Sequence, residues 1–232
     1  RAFIKIPSDE DEQKRIAAEF ESKSNIPYVL MALDGTHVLI QSPPLFHEQY
    51  INRKGTHSLV FQVASGPRRT ILDIAGGLPG CLSDITLWNY SSLRTRFESG
   101  EFGPYEILGD AIYPRDAGFF YLPYLVTPEQ FQVNYNYWQS RARMPVECTF
   151  GIVKKRFPIL AFPWTWDVDK ARNTFIACCC VHNILQELRG YNDASELEQH
   201  LGPSEHIQPP AENLEEVGRQ VDVEDDNEQS DV

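Results

Sequence analysis

The chain has 232 residues, 42% of them hydrophobic, a length that supports one full-sized α/β core. Its 33 acidic and 21 basic side chains give a net charge of -12, which at first sight excludes a nucleic-acid partner; yet residues 186–232 hold 14 acidic and 2 basic residues, so residues 1–185 carry 19 of each and are neutral. There is neither an apolar run of the roughly 18 residues a membrane span needs nor a signal sequence, and the five cysteines lack paired CxxC spacing; this predicts a soluble, intracellular protein with reduced thiols and no membrane contact.

The chain starts at Arg1, which predicts a further segment upstream. PSDEDEQKRIAAEFES predicts a first helix capped by Ser8, with acidic residues at its positive end and Ile16, Ala17 and Phe20 facing inward. SNIPYVLMALDGTHVLIQ predicts a strand covered on both faces. The polar turn at residues 52–56 precedes a second strand, HSLVFQVAS, and the tight turn GPRR precedes a third, RTILDIAGG, so the three form an antiparallel meander.

GGLPG then predicts a loop, DITLWNYSSLRTRFES one helix, and YEILGD a short strand. AIYPRDAGFFYLPYLVTPEQF predicts a loop or small hairpin. A helix from about Arg141 follows, or from Met144 if Pro145 occupies the first turn. VDKARNTFIACCCVHNILQELRG predicts a last helix with Phe175, Cys179, Ile184 and Leu188 among its apolar positions and a stop near Gly190. The expected domain therefore spans residues 1–190, a mixed sheet flanked by helices. Residues 191–232, rich in Glu, Asp, Pro and Gln, predict an acidic disordered tail that either solubilises the chain or docks a basic partner.

Asp34 interrupts an apolar strand. Read alone, it is either a strand-end residue accepting backbone hydrogen bonds or a carboxylate whose burial must be balanced by a partner or a metal. Asp110 repeats the arrangement at the end of YEILGD, and if the two strands are neighbours, both carboxylates converge at one sheet edge, where a divalent cation relieves their repulsion. Glu147 follows Arg143 by one helical turn and reads alone as half of a surface ion pair. Together the three carboxylates match the needs of two-metal phosphodiester hydrolysis with Mg²⁺ or Mn²⁺. Asp84, close to a predicted helix start, reads alone as a helix N-cap.

The motifs in order resemble the DDE nuclease domain of the PIF/Harbinger transposases and their harbinger-derived nuclease relatives. Those motifs are DGTH at residues 34–37, NRKG at 52–55, GGLPGCLSD at 76–84, GDAIYP at 109–114, the helix carrying Arg143, Glu147, Phe150, Gly151, Lys154, Arg156 and Phe157, and His182-Asn183. The resemblance covers about residues 2–188. It implies a ribonuclease H-like α/β fold, a nuclear endonuclease or transposase core with possible strand transfer, and Asp34, Asp110 and Glu147 as catalytic metal ligands joined by Asp84. It also implies a separate Myb-like DNA-binding protein as target reader, and a homo-oligomer is a further expectation. Departures are Ser83 where a His is usual, Ala111-Ile112 where Ser-Gly or Gly-Gly is usual, extra length at RDAGFF, and Gln139 where His is frequent. A chain that keeps the fold as a binding scaffold with little cleavage is the alternative, and RNA in place of DNA is a third reading.

For DNA, Arg53, Lys54, Arg143, Lys154, Lys155 and Arg156 are the candidate phosphate contacts. His37 and His182 with Asn183 are expected to serve structure, since His37, His57 and His182 form no zinc-like spacing. Tyr135, Tyr137 and Trp138 read as packing residues or as a base-stacking surface.

Overall fold

Five strands, β1 (Val29–Leu39), β2 (Ser58–Ser65), β3 (Ile71–Pro79), β4 (Glu106–Leu108) and β5 (Phe120–Tyr121), form one sheet in the order β3-β2-β1-β4-β5. The computed structural model describes residues 3–125, 129–165 and 167–189. β1, β2 and β3 form the expected antiparallel meander, while β4 pairs with β1, and β5 with β4, in parallel. Helices α1 (Glu10–Ser24), α2 (Asp84–Tyr90), α3 (Ser92–Glu98), α4 (Gln130–Arg156) and α5 (Val168–Arg189) flank this mixed sheet, giving the ribonuclease H-like arrangement.

Every residue of β2 is buried, because both faces of the sheet are covered. Leu59, Phe61 and Val63 pack among Val153 of α4 and Phe175 of α5, with the Phe61 and Phe175 rings 4.3 Å apart. On the other face Ala64 joins Leu33, Trp88, Leu93 and Phe97. Burying each of the large side chains contributes about 1.5–3 kcal/mol, so this double layer fixes the central strands before any polar group is placed. Phe20 of α1 and Ala142 and Val146 of α4 close over Val29, Ala32 and Leu108 at the β1/β4 seam.

The chain turns from antiparallel to parallel pairing at that seam, and a crevice outside the carboxyl ends of such strands is where α/β sheets hold their ligands. β4 pairs with β1 only as far as Ala32 opposite Leu108, while β1 runs on to Leu39. Between Ala32 and Leu39, where Trp164 closes against β1 by donating its N–H to the Leu39 carbonyl, the β4 side of β1 pairs with no strand among the described residues.

Several local expectations change. Asp9, not Ser8, caps α1, accepting the Glu12 N–H at 3.0 Å. β3 runs through the glycines to Pro79, because a register shift opposite Val60 and Phe61 absorbs Gly76 and Gly77 at φ 116° and 74°. The single helix after the loop is two, since Ser91 turns extended (ψ 141°) and caps α3 through the Arg94 N–H. The segment expected as a loop or small hairpin is a loop that contributes the two-residue strand β5, parallel to β4. α4 starts at Gln130, not near 141, because Glu129 and Gln132 form a capping box, and Pro145 sits inside the helix. A proline there forfeits one helical hydrogen bond, and the buried row Ala142, Val146, Thr149 and Val153 holds the helix together across it. Of the apolar positions of α5, Phe175 and Cys179 are buried, whereas Leu188 is 76% exposed. Gly190 and the acidic tail lie outside the described residues. Among the described residues, no helix is long and apolar enough to cross a membrane.

Candidate active site

Asp34 and Asp110 occupy matching positions on neighbouring parallel strands, each two residues beyond the last β1/β4 pair, Ala32 and Leu108. Asp34 Oδ1 accepts its neighbour's N–H, from Gly35 at 2.9 Å, and Asp110 Oδ1 accepts the Ile112 N–H at 3.0 Å, which closes the turn after β4. Burial pushes the Asp34 carboxyl up to about 6; nearby Arg143 and the Gly35 N–H oppose the shift, and Glu147 and Asp84 add to it.

Asp84 enters from the other side. Ser83 is the N-cap of α2, its hydroxyl facing Thr86, so the Asp84 side chain is not spent on capping and the N-cap expectation for Asp84 does not hold. Its carboxylate lies against Gly35, where a Cβ would stand 2.1 Å from Asp84 Oδ1. Burial raises the Asp84 carboxyl, Asp110 raises it further, and Arg53 opposes both. Gly35 is thus the one residue type that lets this carboxylate reach β1.

Glu147 arrives from the middle of α4 and is half-exposed. Between it and Asp34 stands Arg143, whose Nη2 is 3.6 Å from Asp34 Oδ1 and whose Nη1 is 3.8 Å from Glu147 Oε1. The fold therefore links the four carboxylates in a chain, Glu147 and Asp84 acting on Asp34 and Asp110 acting on Asp84, with an arginine between Asp34 and Glu147. Among the described residues, no three His, Cys, Asp or Glu side chains stand close enough together to hold a metal ion as they are. The donor chemistry, carboxylate oxygens alone, is that of a hard divalent cation such as Mg²⁺ or Mn²⁺.

Three neutral side chains outside the predicted set of site residues shape the site. Gln139, buried on α4, donates from Nε2 to the carbonyls of Gly109 (2.7 Å) and Tyr121 (3.2 Å), tying α4 to the turn that carries Asp110. Tyr113, also buried, receives a hydrogen bond on Oη from Gln62 Nε2 at 2.9 Å, and the same Gln62 amide reaches the Asp84 carbonyl at 3.3 Å. Burial, then the charges of Asp84, Asp110 and Asp34, hold the Tyr113 phenol well above its usual range, so it stays neutral beside the carboxylates. The signal for Tyr113 was the YP of GDAIYP. For Gln62, an amide in an otherwise apolar strand was the sign.

The basic candidates divide. Arg53 and Lys54, on the turn that the Asn52 side chain closes, are exposed and share a field with half-buried Lys154 around His37. Burial, then Lys54, lowers the Lys154 ammonium, and burial with these three cations lowers His37, whose Nδ1 meets Ser58 Oγ at 2.9 Å. Lys155 is exposed. Arg156 turns away toward α5, its Nη1 3.0 Å from His182 Nδ1, while His182 Nε2 meets the Arg69 carbonyl at 2.9 Å. Asn183 accepts the Ile71 N–H and donates to the Ile71 and Phe3 carbonyls, so this pair fastens α5 to the edge of β3. Tyr135 and Trp138 are half-buried, Trp138 packing at the β1/β4 seam.

Comparison with known proteins gives a consistent picture. A family described as DDE superfamily endonuclease matches residues 33–183. The protein named "Putative nuclease HARBI1" of Homo sapiens is 31% identical over 232 residues, covering 97% of this chain and 63% of that protein, and the Bos taurus protein of the same name matches over the same shares. "Protein ALP1-like" of Arabidopsis thaliana is 27% identical over 198 residues, covering 78% of this chain and 48% of its own. The chain thus spans less than two thirds of the length of these relatives. No solved structure matches it.

Proposed function

This chain belongs to the DDE superfamily endonuclease family, and from that premise we propose that it is the catalytic core of a divalent-metal-dependent DNA endonuclease of the harbinger-derived type, with strand transfer within reach of the same chemistry. The observation that carries the reading is the placement of Asp34 and Asp110 two residues beyond the last β1/β4 pair, with Glu147 of α4 across Arg143 from Asp34. Mg²⁺ or Mn²⁺ bound there would supply an activated water and charge stabilisation of the leaving oxygen.

The chain's own residues do the rest. Asp34, Asp110 and Glu147 would hold the ions, and Asp84, seated on Gly35, would add a fourth carboxylate or orient a bound water. Tyr113 keeps a neutral hydroxyl in the site and, with Gln62, fixes the Asp84 backbone. Gln139 holds the Asp110 turn so that its carboxylate does not have to be ordered at the moment of reaction. Arg53, Lys54 and Lys154 would contact phosphates beside the carboxylates, positioning the backbone without reading bases. Lys155, exposed on the following helical position, would add a weaker contact. Arg156 is engaged with His182, so it contributes to DNA through helix position rather than as a free fork. A separate Myb-like reader, self-association and a nuclear setting complete the proposal by resemblance to the family.

The test is nicking of plasmid DNA with Mg²⁺ or Mn²⁺, against matched RNA. Wild type nicks DNA, while D34A, D110A and E147Q each lose nicking and keep their fold. Unchanged cleavage in those variants sinks the assignment, and preference for RNA overturns the substrate. A second reading has one observation in its favour: the cation Arg143 already stands between Asp34 and Glu147, as in a fold kept for binding alone. DNA binding with no metal-dependent cleavage by wild type would select it.

A further inference from the structure

Arg143 makes an unusual pair of contacts. Its two terminal nitrogens face different carboxylates, at 3.6 Å to Asp34 and 3.8 Å to Glu147, and its side chain is only 13% exposed. Both distances exceed hydrogen-bond length, whereas a guanidinium committed to one carboxylate docks as a fork at about 2.7–2.9 Å. Its Nε is buried and has no hydrogen-bond partner among the described residues. The group is held by charge, midway between two acids, and locked to neither.

That is the position of a counter-cation. Asp34 lies on β1 and Glu147 on α4, so without a positive charge between them two carboxylates from separate elements would face each other across a partly dehydrated gap. A divalent ion held by the same two acids would need that space, and it would repel a cation a few ångströms away.

Resting on the metal-dependent reading above, we propose that Arg143 is an exchangeable internal counter-cation, standing between Asp34 and Glu147 while no divalent ion is bound and yielding that place when one binds. Arg143 is then a positioning residue: it keeps the metal-free site folded and sets the threshold for loading it. The missing directional bonds favour exchange, because leaving either carboxylate breaks no hydrogen bond.

The experiment is Mn²⁺ binding followed by electron paramagnetic resonance, without nucleic acid, on the full chain and on R143Q, R143K and D34N. R143Q should bind Mn²⁺ about tenfold tighter than wild type, as expected on removing a nearby like charge, and R143K should stay close to wild type. In EDTA, R143Q should melt about 5 °C lower than wild type, and saturating Mn²⁺ should close that gap. Equal or weaker Mn²⁺ binding by R143Q overturns the proposal while leaving the metal site standing, since a residue that merely orients ligands gives that result. Wild type with no saturable uptake that D34N abolishes removes the metal reading itself, and this inference with it. If R143Q fails to fold, the wild type still decides: the Arg143 Nε–H resonance, assigned through R143K, should shift and saturate with Mg²⁺, and a resonance that does not move refutes the exchange.

Discussion

The Asp84 carboxylate rests directly on Gly35: a methyl group at residue 35 would lie 2.1 Å from Asp84 Oδ1 and 2.6 Å from Asp84 Cγ. The carboxylate therefore reaches β1 only because β1 has no side chain at that point. Gly35→Ala should cost about 1–3 kcal/mol, as overpacking does, and should cut metal-dependent nicking by displacing Asp84. In the double variant G35A/D84A the clash partner is gone, so most of the stability should return while nicking does not. Additive losses in urea denaturation would show that the two residues do not touch.

Burial gives Asp34 a folded-state pKa of about 6 against an ordinary 3.8, so the folded form binds the proton more tightly and stability falls as pH rises from about 4 to 6. At about 1.4 kcal/mol per unit, Asp34→Asn should make the metal-free protein about 2–3 kcal/mol more stable at pH 7, with the gain vanishing near pH 4. His182 works in the opposite direction. Burial, only partly offset by its hydrogen bond to the Arg69 carbonyl, lowers it to about 4 from 6.5, so its contribution to stability is lost as pH falls through that window. The two slopes oppose each other in wild type, and D34N should expose the acid loss. A D34N protein less stable than wild type in EDTA at pH 7 contradicts this account.

Gln139 serves two carbonyls; without it the Tyr121 carbonyl keeps the Gly109 N–H, but the buried Gly109 carbonyl loses the Gln139 amide. Gln139→Leu should cost about 1–3 kcal/mol and loosen the turn carrying Asp110, giving faster amide exchange at residues 109–112 and slower nicking. Protection equal to wild type at that turn would mean that Gln139 does not hold it.

Asn183 offers the control. Its three hydrogen bonds fasten α5 to Ile71 and Phe3, away from the carboxylates. Asn183→Ala should lower stability by about 2–3 kcal/mol and leave Mn²⁺ affinity unchanged. A change in Mn²⁺ affinity in this variant would show that the edge of β3 communicates with the site.

Arg53, Lys54 and Lys154 share one field around His37. Replacing each with Gln should weaken DNA binding and reduce the dependence of log affinity on log salt by about 1 per lost phosphate contact, independent of sequence. An unchanged salt slope in the triple variant would place the nucleic acid elsewhere.

The sequence alone carried the kinds of element and their order. Alternating and continuous apolar runs announced β1, β2 and β4, the turns NRKG and GPRR announced the meander, and a carboxylate in or just after an apolar strand marked Asp34 and Asp110 as out of place. It misjudged the start of α4, because Pro145 is a local signal for a helix start and the buried row that overrides it comes from the sheet beneath. It read DITLWNYSSLRTRFES as one helix because its apolar spacing continues through Ser91, whose cap is visible only in backbone angles.

Only the tertiary structure decided which strands are neighbours, and so whether Asp34 and Asp110 share an edge at all. It also decided that Arg143 lies between Asp34 and Glu147, that Gly35 makes room for Asp84, and that Gln139 and Gln62 tie α4 and β2 to the turns bearing the acids. The reason is range. Periodicity and turn chemistry act over a few residues and dictate which face of an element is apolar, whereas a site is assembled from side chains tens to more than a hundred positions apart, whose meeting is set by how the buried faces of separate elements settle the packing of the whole sheet.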